Sequence, residues 1–355
     1  MLLVYLGIAV LVYMQFGAGA NPRRNRNLCI WIVIYLFLIS AMKEILVNGD
    51  LVLYARAFRM MKSWSYSRIF ESWMDEQLKD GFFYVIAKVF ADIGCSDYVW
   101  MGFISLVYAV SVGWFIYKNS SKPFLSLMLL MTLGFYKFTL SGLRQTLSMA
   151  MILALSYGYM LDRKPIKFLL SVLLAALFHS SAILFLPAYF VCTWKLGWRQ
   201  AAMVGGVFVV YFLFPNLIRD LLMKIAWNRS IAEYATRTKA LTWSGVVIQA
   251  CILVFCFLFR NETILDPYNK WRKVDAFINC MLVGFCLQIL ATMIAEAFRL
   301  AYYYNLCSIA VIANEVAENK REQNHSTMYI IIGSCLVAYM LWSQAFFDIT
   351  FFWQI

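Results

Sequence analysis

Metal-ligand spacing is what this chain conspicuously lacks: none of its nine cysteines belongs to a CxxC pair. Eight (Cys29, Cys192, Cys251, Cys256, Cys280, Cys286, Cys307 and Cys335) lie in or beside apolar runs and read as small core residues. Cys95 stands alone in polar sequence, so neither a disulfide framework nor a cysteine-based metal site is supported. Histidine is almost absent, with only His179 and His325 among 355 residues. No internal repeat is visible, which weighs against a transporter built from two related halves. No apolar stretch runs into a small-residue cleavage site, so Met1 to Phe16 reads as a first span and not as a removable signal. Charge is sparse as well, at 14% of residues.

What fills the chain instead is apolar side chain: 63% hydrophobic and 17% aromatic, with a mean hydropathy of +0.70. That is too apolar for a water-soluble domain and requires lipid as solvent. The net charge of +12 does not point to nucleic acid, because most basic residues occupy short segments between apolar runs, the mark of cytoplasmic loops. The expected class is all-α: a polytopic transmembrane protein with about 10 to 12 membrane segments, forming one integral domain over residues 1–355.

At about twenty apolar residues per span, clear spans fall at 2–18, 28–46, 98–117, 123–140, 143–161, 200–218, 243–259, 274–295, 298–314 and 327–347. The stretch from Phe168 to Cys192 is ambiguous, with His179 and Ser180-Ser181 at its centre and Pro187 beyond. Placing Arg23, Arg24 and Arg26 inside puts Lys118, Lys122, Arg163, Lys164 and Lys167 inside too. A single span over 168–192 would then expose Lys195, Arg199, Arg260 and Lys270 to Lys273 outside, whereas a re-entrant hairpin turning near His179 keeps every later basic loop inside. Polar backbone at such a turn is tolerated only where it lines protein or a wet cavity.

On this topology the loop over 48–97, Arg144, His179 and the segment Glu296 to Arg299 meet at the extracytoplasmic side. The loop is too long for a plain connection. Its mixture of Arg56, Arg59, Lys62, Trp64, Tyr66, Arg68, Phe70 and Trp73 reads either as amphipathic segments at the headgroups or as aromatic platforms for sugars beside charges for a lipid-linked phosphate. Each candidate residue has a plainer alternative. Arg144 either serves a site or snorkels to the interface. His179 is either a base or a hydrogen-bonded structural residue. Glu296 and Arg299, spaced i, i+3, either serve the site or neutralise each other. Tyr302, Tyr303 and Tyr304 are either a substrate wall or an interfacial aromatic belt.

The ordered pieces Gly49-Asp50 with Tyr54, Gly81-Phe82-Phe83, Gly142-Leu143-Arg144-Gln145, Phe178-His179-Ser180-Ser181-Ala182 and Arg299-Leu300-Ala301-Tyr302-Tyr303 together resemble the EpsG family of Wzy-type bacterial polysaccharide polymerases. The chain departs from that family at Lys79-Asp80-Gly81, where a Glu-Pro-Gly-like turn is more usual, so the resemblance assigns Asp80 no role. It implies a GT-C-like enzyme of the bacterial inner membrane whose site faces the periplasm or exterior. Such an enzyme moves a growing glycan from undecaprenyl pyrophosphate onto a second lipid-linked repeat unit, with no cofactor or required metal. Implied partners are the lipid-linked donor and acceptor, membrane lipids, a chain-length regulator and a flippase, and not nucleic acid.

That chemistry can be matched to residue types. A pyrophosphate leaving group needs positive charge where negative charge develops, and the planar fork of arginine suits it, which nominates Arg144 and Arg299. The attacking sugar hydroxyl needs a proton acceptor, a task for His179, with Asp50 or Glu296 as substitutes. Displacement opposite the leaving group would invert the anomeric centre, and a retaining route stays open. Gln145, and Ser148 one turn from Arg144, are candidate substrate contacts with Tyr54, Tyr302 and Tyr303. The rival readings are an O-antigen ligase, an O-acyltransferase, or a flippase or transporter. A ligase differs only in its acceptor.

Overall fold

A computed structural model describes residues 22–45, 49–217, 220, 243–259, 273–293 and 298–318. The spans expected at 2–18 and 327–347 lie outside the described residues, as does Glu296. Two compact units can be distinguished, Met1–Gly158 with Ile166–Ile183 and Lys320–Ile355, and Tyr159–Pro165 with Leu184–Asn319.

In the first unit, α1 covers Pro22–Ala41, so Arg23, Arg24 and Arg26 ride on the first turns of a helix and not in a loop. The segment expected as a long outer loop folds into three helices: α2 (Gly49–Met61), α3 (Tyr66–Met74) and α4 (Gly81–Asp92). It leads into α5 (Asp97–Asn119). The start of α5 is set locally: the Ser96 hydroxyl accepts the Val99 amide at 3.3 Å, and Asp97 places negative charge in the first turn. Together α1 and α5, with a third helix in the second unit, are the described helices long and apolar enough to cross a membrane.

The apolar residues of α2 recur as Leu51, Ala55, Phe58 and Met61, and those of α4 as Phe83, Ala87 and Ala91, all buried. That spacing is one face of a 3.6-residue helix. Both faces close on Ile69 of α3, on Trp100 and Ile104 of α5, and on Leu143 and Leu147 further on. The segment is therefore a packed set of helices that shares its core with α5 and with Leu143 and Leu147.

The expected span 123–140 is not one helix. It divides into α6 (Pro123–Thr132) and α7 (Phe135–Thr139) at Gly134, whose φ of 80° is a left-handed conformation that favours glycine. Next come α8 (Leu143–Met151), a π-helical turn over Ile152–Ser156 and α9 (Tyr157–Leu161), which together make the stretch 143–161 helical. Lys43, buried just past α1, donates to the Leu140 carbonyl at 2.6 Å, and the Tyr136 hydroxyl donates to the Leu36 carbonyl at 2.7 Å. These bonds hold the connector from which α8 starts.

Helix α10 (Pro165–Phe178) rises about 21 Å, short of a hydrocarbon core of about 30 Å. It breaks at His179, after which a 3₁₀ stretch, Ser180–Phe185, leads to α11 (Ala188–Val191). The Arg163 guanidinium, ahead of α10, lies 3.9 Å from the centroid of the Tyr189 ring and donates to Cys192 Sγ at 3.4 Å. A straight helix would separate residues 163 and 189 by about 39 Å. The chain therefore folds back on itself between them.

The second unit continues with α12 (Trp198–Leu213), α13 (Ser244–Leu258), α14 (Lys273–Leu290), α15 (Phe298–Asn305) and α16 (Ser308–Glu318). The span expected at 298–314 is broken between α15 and α16. Gln249 donates to Asn305 Oδ1 at 3.0 Å, and Gln200 donates to Asn279 Oδ1 at 2.7 Å, so amide side chains link helices through apolar surroundings.

Candidate active site

The turn between α3 and α4 shapes the site. It is closed by the Leu78 amide on the Ser72 carbonyl at 2.9 Å, and it carries two non-glycine residues of positive φ, Glu76 at 58° and Asp80 at 57°. A left-handed residue other than glycine costs roughly 1–2 kcal/mol. Such strain persists where the surroundings over-determine it, often at functional sites. Asp80 occupies the N-cap position of α4 but makes no side-chain bond to its own helix, although capping is the ordinary use of aspartate there. Its carboxylate is turned inward and is 1% exposed.

Three partners receive it. Asp80 Oδ2 lies 2.8 Å from His179 Nδ1 and 3.2 Å from Arg144 Nη1, while Oδ1 accepts the Ser180 amide at 3.0 Å. Arg144, on the first turn of α8, also donates to the Lys79 carbonyl at 3.2 Å, and its guanidinium carbon stands 6.0 Å from the centroid of the Tyr54 ring. Arg144 Nε is buried without a hydrogen-bond partner. The break after α10 is braced beside the carboxylate by Phe178, packed edge-on against Phe82 at 5.3 Å.

The balance of charge favours cations. Burial alone would push the Asp80 carboxyl up, but the His179 hydrogen bond and charge, then Arg144 and the Ser180 amide, outweigh it and hold the group below its ordinary value of 3.8. Lys79 adds a half-buried ammonium whose affinity for protons is lowered by burial, partly restored by Asp80 and lowered again by Arg144. One ionised carboxylate thus meets Arg144 and an imidazole with Lys79 close by, which leaves net positive charge at the cluster. With Asp80 ionised, Nδ1 of His179 carries the proton that it donates, which leaves the lone pair on Nε2.

Glycine is required directly after this carboxylate. A Cβ on Gly81 would overlap the indole of Trp73 from α3, a ring that cannot swing aside as a chain end could. Gly81→Ala should therefore destabilise the first unit by about 1–3 kcal/mol, read as a lowered unfolding midpoint of the purified protein.

His179, Arg144 and Tyr54 of the expected residues come together here. Gln145 and Ser148 share α8 with Arg144 and are 4% and 0% exposed. Asp50 is exposed on the first turn of α2. Arg299, Tyr302 and Tyr303 belong to the second unit on α15, with Tyr302 half-buried against Phe298 and Tyr303 fully buried. Asp80 is the residue that sequence reasoning missed. The available signal was the lone histidine itself, since an imidazole set in apolar surroundings needs an acceptor to fix its tautomer.

The helices and this cluster define a helical membrane protein with a buried ionic site. The chain belongs to the EpsG family, whose sequence profile matches residues 26–353, and the family supports a polysaccharide polymerase-type membrane protein. No curated protein and no solved structure matches the chain.

Proposed function

We propose that the chain is a glycosyltransferase that lengthens a polysaccharide at the outer face of the bacterial cytoplasmic membrane. It takes the glycan from undecaprenyl pyrophosphate and places it on a sugar hydroxyl of a second lipid-linked repeat unit. The observation that carries this reading is the shared carboxylate of Asp80, which aligns His179 and Arg144.

Asp80 accepts Nδ1–H of His179, so Nε2 is the basic atom. The acceptor hydroxyl loses its proton to Nε2 as its oxygen bonds to the donor's anomeric carbon. The bond from that carbon to the pyrophosphate oxygen breaks, and its electron pair leaves with the pyrophosphate. Arg144, whose side chain is 24% exposed, and Lys79, close enough to feel the charges of Asp80 and Arg144, answer the growing negative charge on the leaving group. A guanidinium held in place by Asp80 and the Lys79 carbonyl needs no reorganisation at the moment of reaction. Arg299 is a second candidate for pyrophosphate, to be tested by itself.

Complementation of a host lacking its own polymerase tests the reading, with glycan length resolved on a gel. The wild-type chain should restore long glycans and His179→Ala at equal abundance should leave single repeat units. Long glycans from His179→Ala would remove the base, and failure of the wild type would remove the polymerase.

A further inference from the structure

Helix α3 has an apolar sector wider than the protein covers. At roughly 100° per residue, Ile69 and Ser72 face the core and are buried, with Trp73 beside them over Gly81. The row adjoining that face is Tyr66, Phe70 and Met74, exposed to 41%, 48% and 80%, and Phe70 stacks on Trp73 at 6.2 Å. The polar residues Ser67, Arg68 and Glu71 take the remaining side, with Arg68 drawn back over Trp64 at 4.4 Å. Protein thus covers about half of the apolar sector.

The surroundings say what covers the rest. The Tyr66 hydroxyl donates to Asp92 Oδ2 at 2.9 Å, which ties the start of α3 to the end of α4. The next residue, Ile93, is 69% exposed. Four residues later α5 begins, a helix long and apolar enough to cross a membrane, with Val99 and Phe103 exposed on its first turns. Through Tyr66 and Asp92 the uncovered row of α3 is thus tied to the segment that leads directly into the span-length α5.

We propose that α3 is an interfacial helix whose Tyr66, Phe70 and Met74 rest in the boundary between lipid headgroups and acyl chains. Tyrosine suits that level because its ring is apolar and its hydroxyl polar, and an amphipathic helix of this kind buries its apolar face about 5–10 Å into the boundary. Through Trp73 on Gly81, the same helix steadies the turn that carries Asp80. The proposal depends on the chain being a membrane protein and not on which glycan reaction it performs.

Photocrosslinking of the full chain in native membranes tests it. p-Benzoylphenylalanine is introduced at Phe70 or Met74, and in control proteins at Ser67 or Glu71. After irradiation, mass spectrometry of the purified chain should show phospholipid adducts several-fold more abundant from positions 70 and 74 than from 67 and 71. Equal yields from all four positions, no lipid adduct, or adducts to a second protein chain from position 70 would each overturn the proposal. The readout does not require activity, so it stands apart from the complementation test.

Discussion

Asp80→Asn should slow glycan lengthening by about 10²- to 10⁴-fold, the range expected when a positioned base loses its function. Asparagine is the informative replacement because it tolerates the left-handed backbone that Asp80 adopts (φ 57°) and nearly matches the shape of aspartate. What it removes is the charge that His179 Nδ1 meets at 2.8 Å. An amide can offer its N–H to Nδ1, which places the imidazole proton on Nε2 and leaves no base for the acceptor. The check is elongation rate on a lipid-linked repeat unit, with unfolding midpoint as control: a large rate loss at a near-normal midpoint supports the dyad, and an unchanged rate removes Asp80 from it. The pH sign follows from the lowered Asp80 value. Its ionised form stabilises the folded state above its ordinary value of 3.8, and that contribution is lost as pH falls through the lower folded value. An acid limit on activity at higher pH would belong to protonation of His179.

Arg144→Lys should lower elongation by about 10²- to 10³-fold, close to Arg144→Ala, because a lost transition-state donor costs on that order. In the native site Nη1 holds both the Lys79 carbonyl and Asp80, and the guanidinium also bonds the Tyr54 side chain, so the fork is oriented before any phosphate arrives. A lysine ammonium is a point charge without that fork. Once bonded to Asp80 it has little left to offer the leaving group. Saturation with donor separates the effects: loss that persists at saturating donor places Arg144 in the transition state, and loss that vanishes there limits it to binding.

Arg144 and His179 are legible in the sequence because ionisable residues are rare in lipid-spanning runs and expensive there. The reversal of the chain between Arg163 and Tyr189 is anticipated for a related reason, since an expected topology that keeps the later basic residues on one side of the membrane needs a turn near His179. The breaks at Gly134 and between α15 and α16 are not legible, because hydropathy records how apolar a run is and is blind to a positive φ or a turn within it. The burial of Gln145 and Ser148 is hidden likewise: helical spacing places Ser148 beneath Arg144 but does not say what packs there. Asp80 is the sharpest case, lying in a polar turn that resembles any loop and meeting a histidine 99 positions away.

By itself, then, the sequence determined the solvent this protein needs, the helical class, the family and two residues of its ionic centre, Arg144 and His179, because each depends on composition or short spacing. Only the tertiary structure decided that the segment over 49–92 packs as three helices and that Asp80 joins Arg144 to His179. Those outcomes depend on a left-handed turn and on buried charges finding partners across long separations, and neither is carried by local pattern.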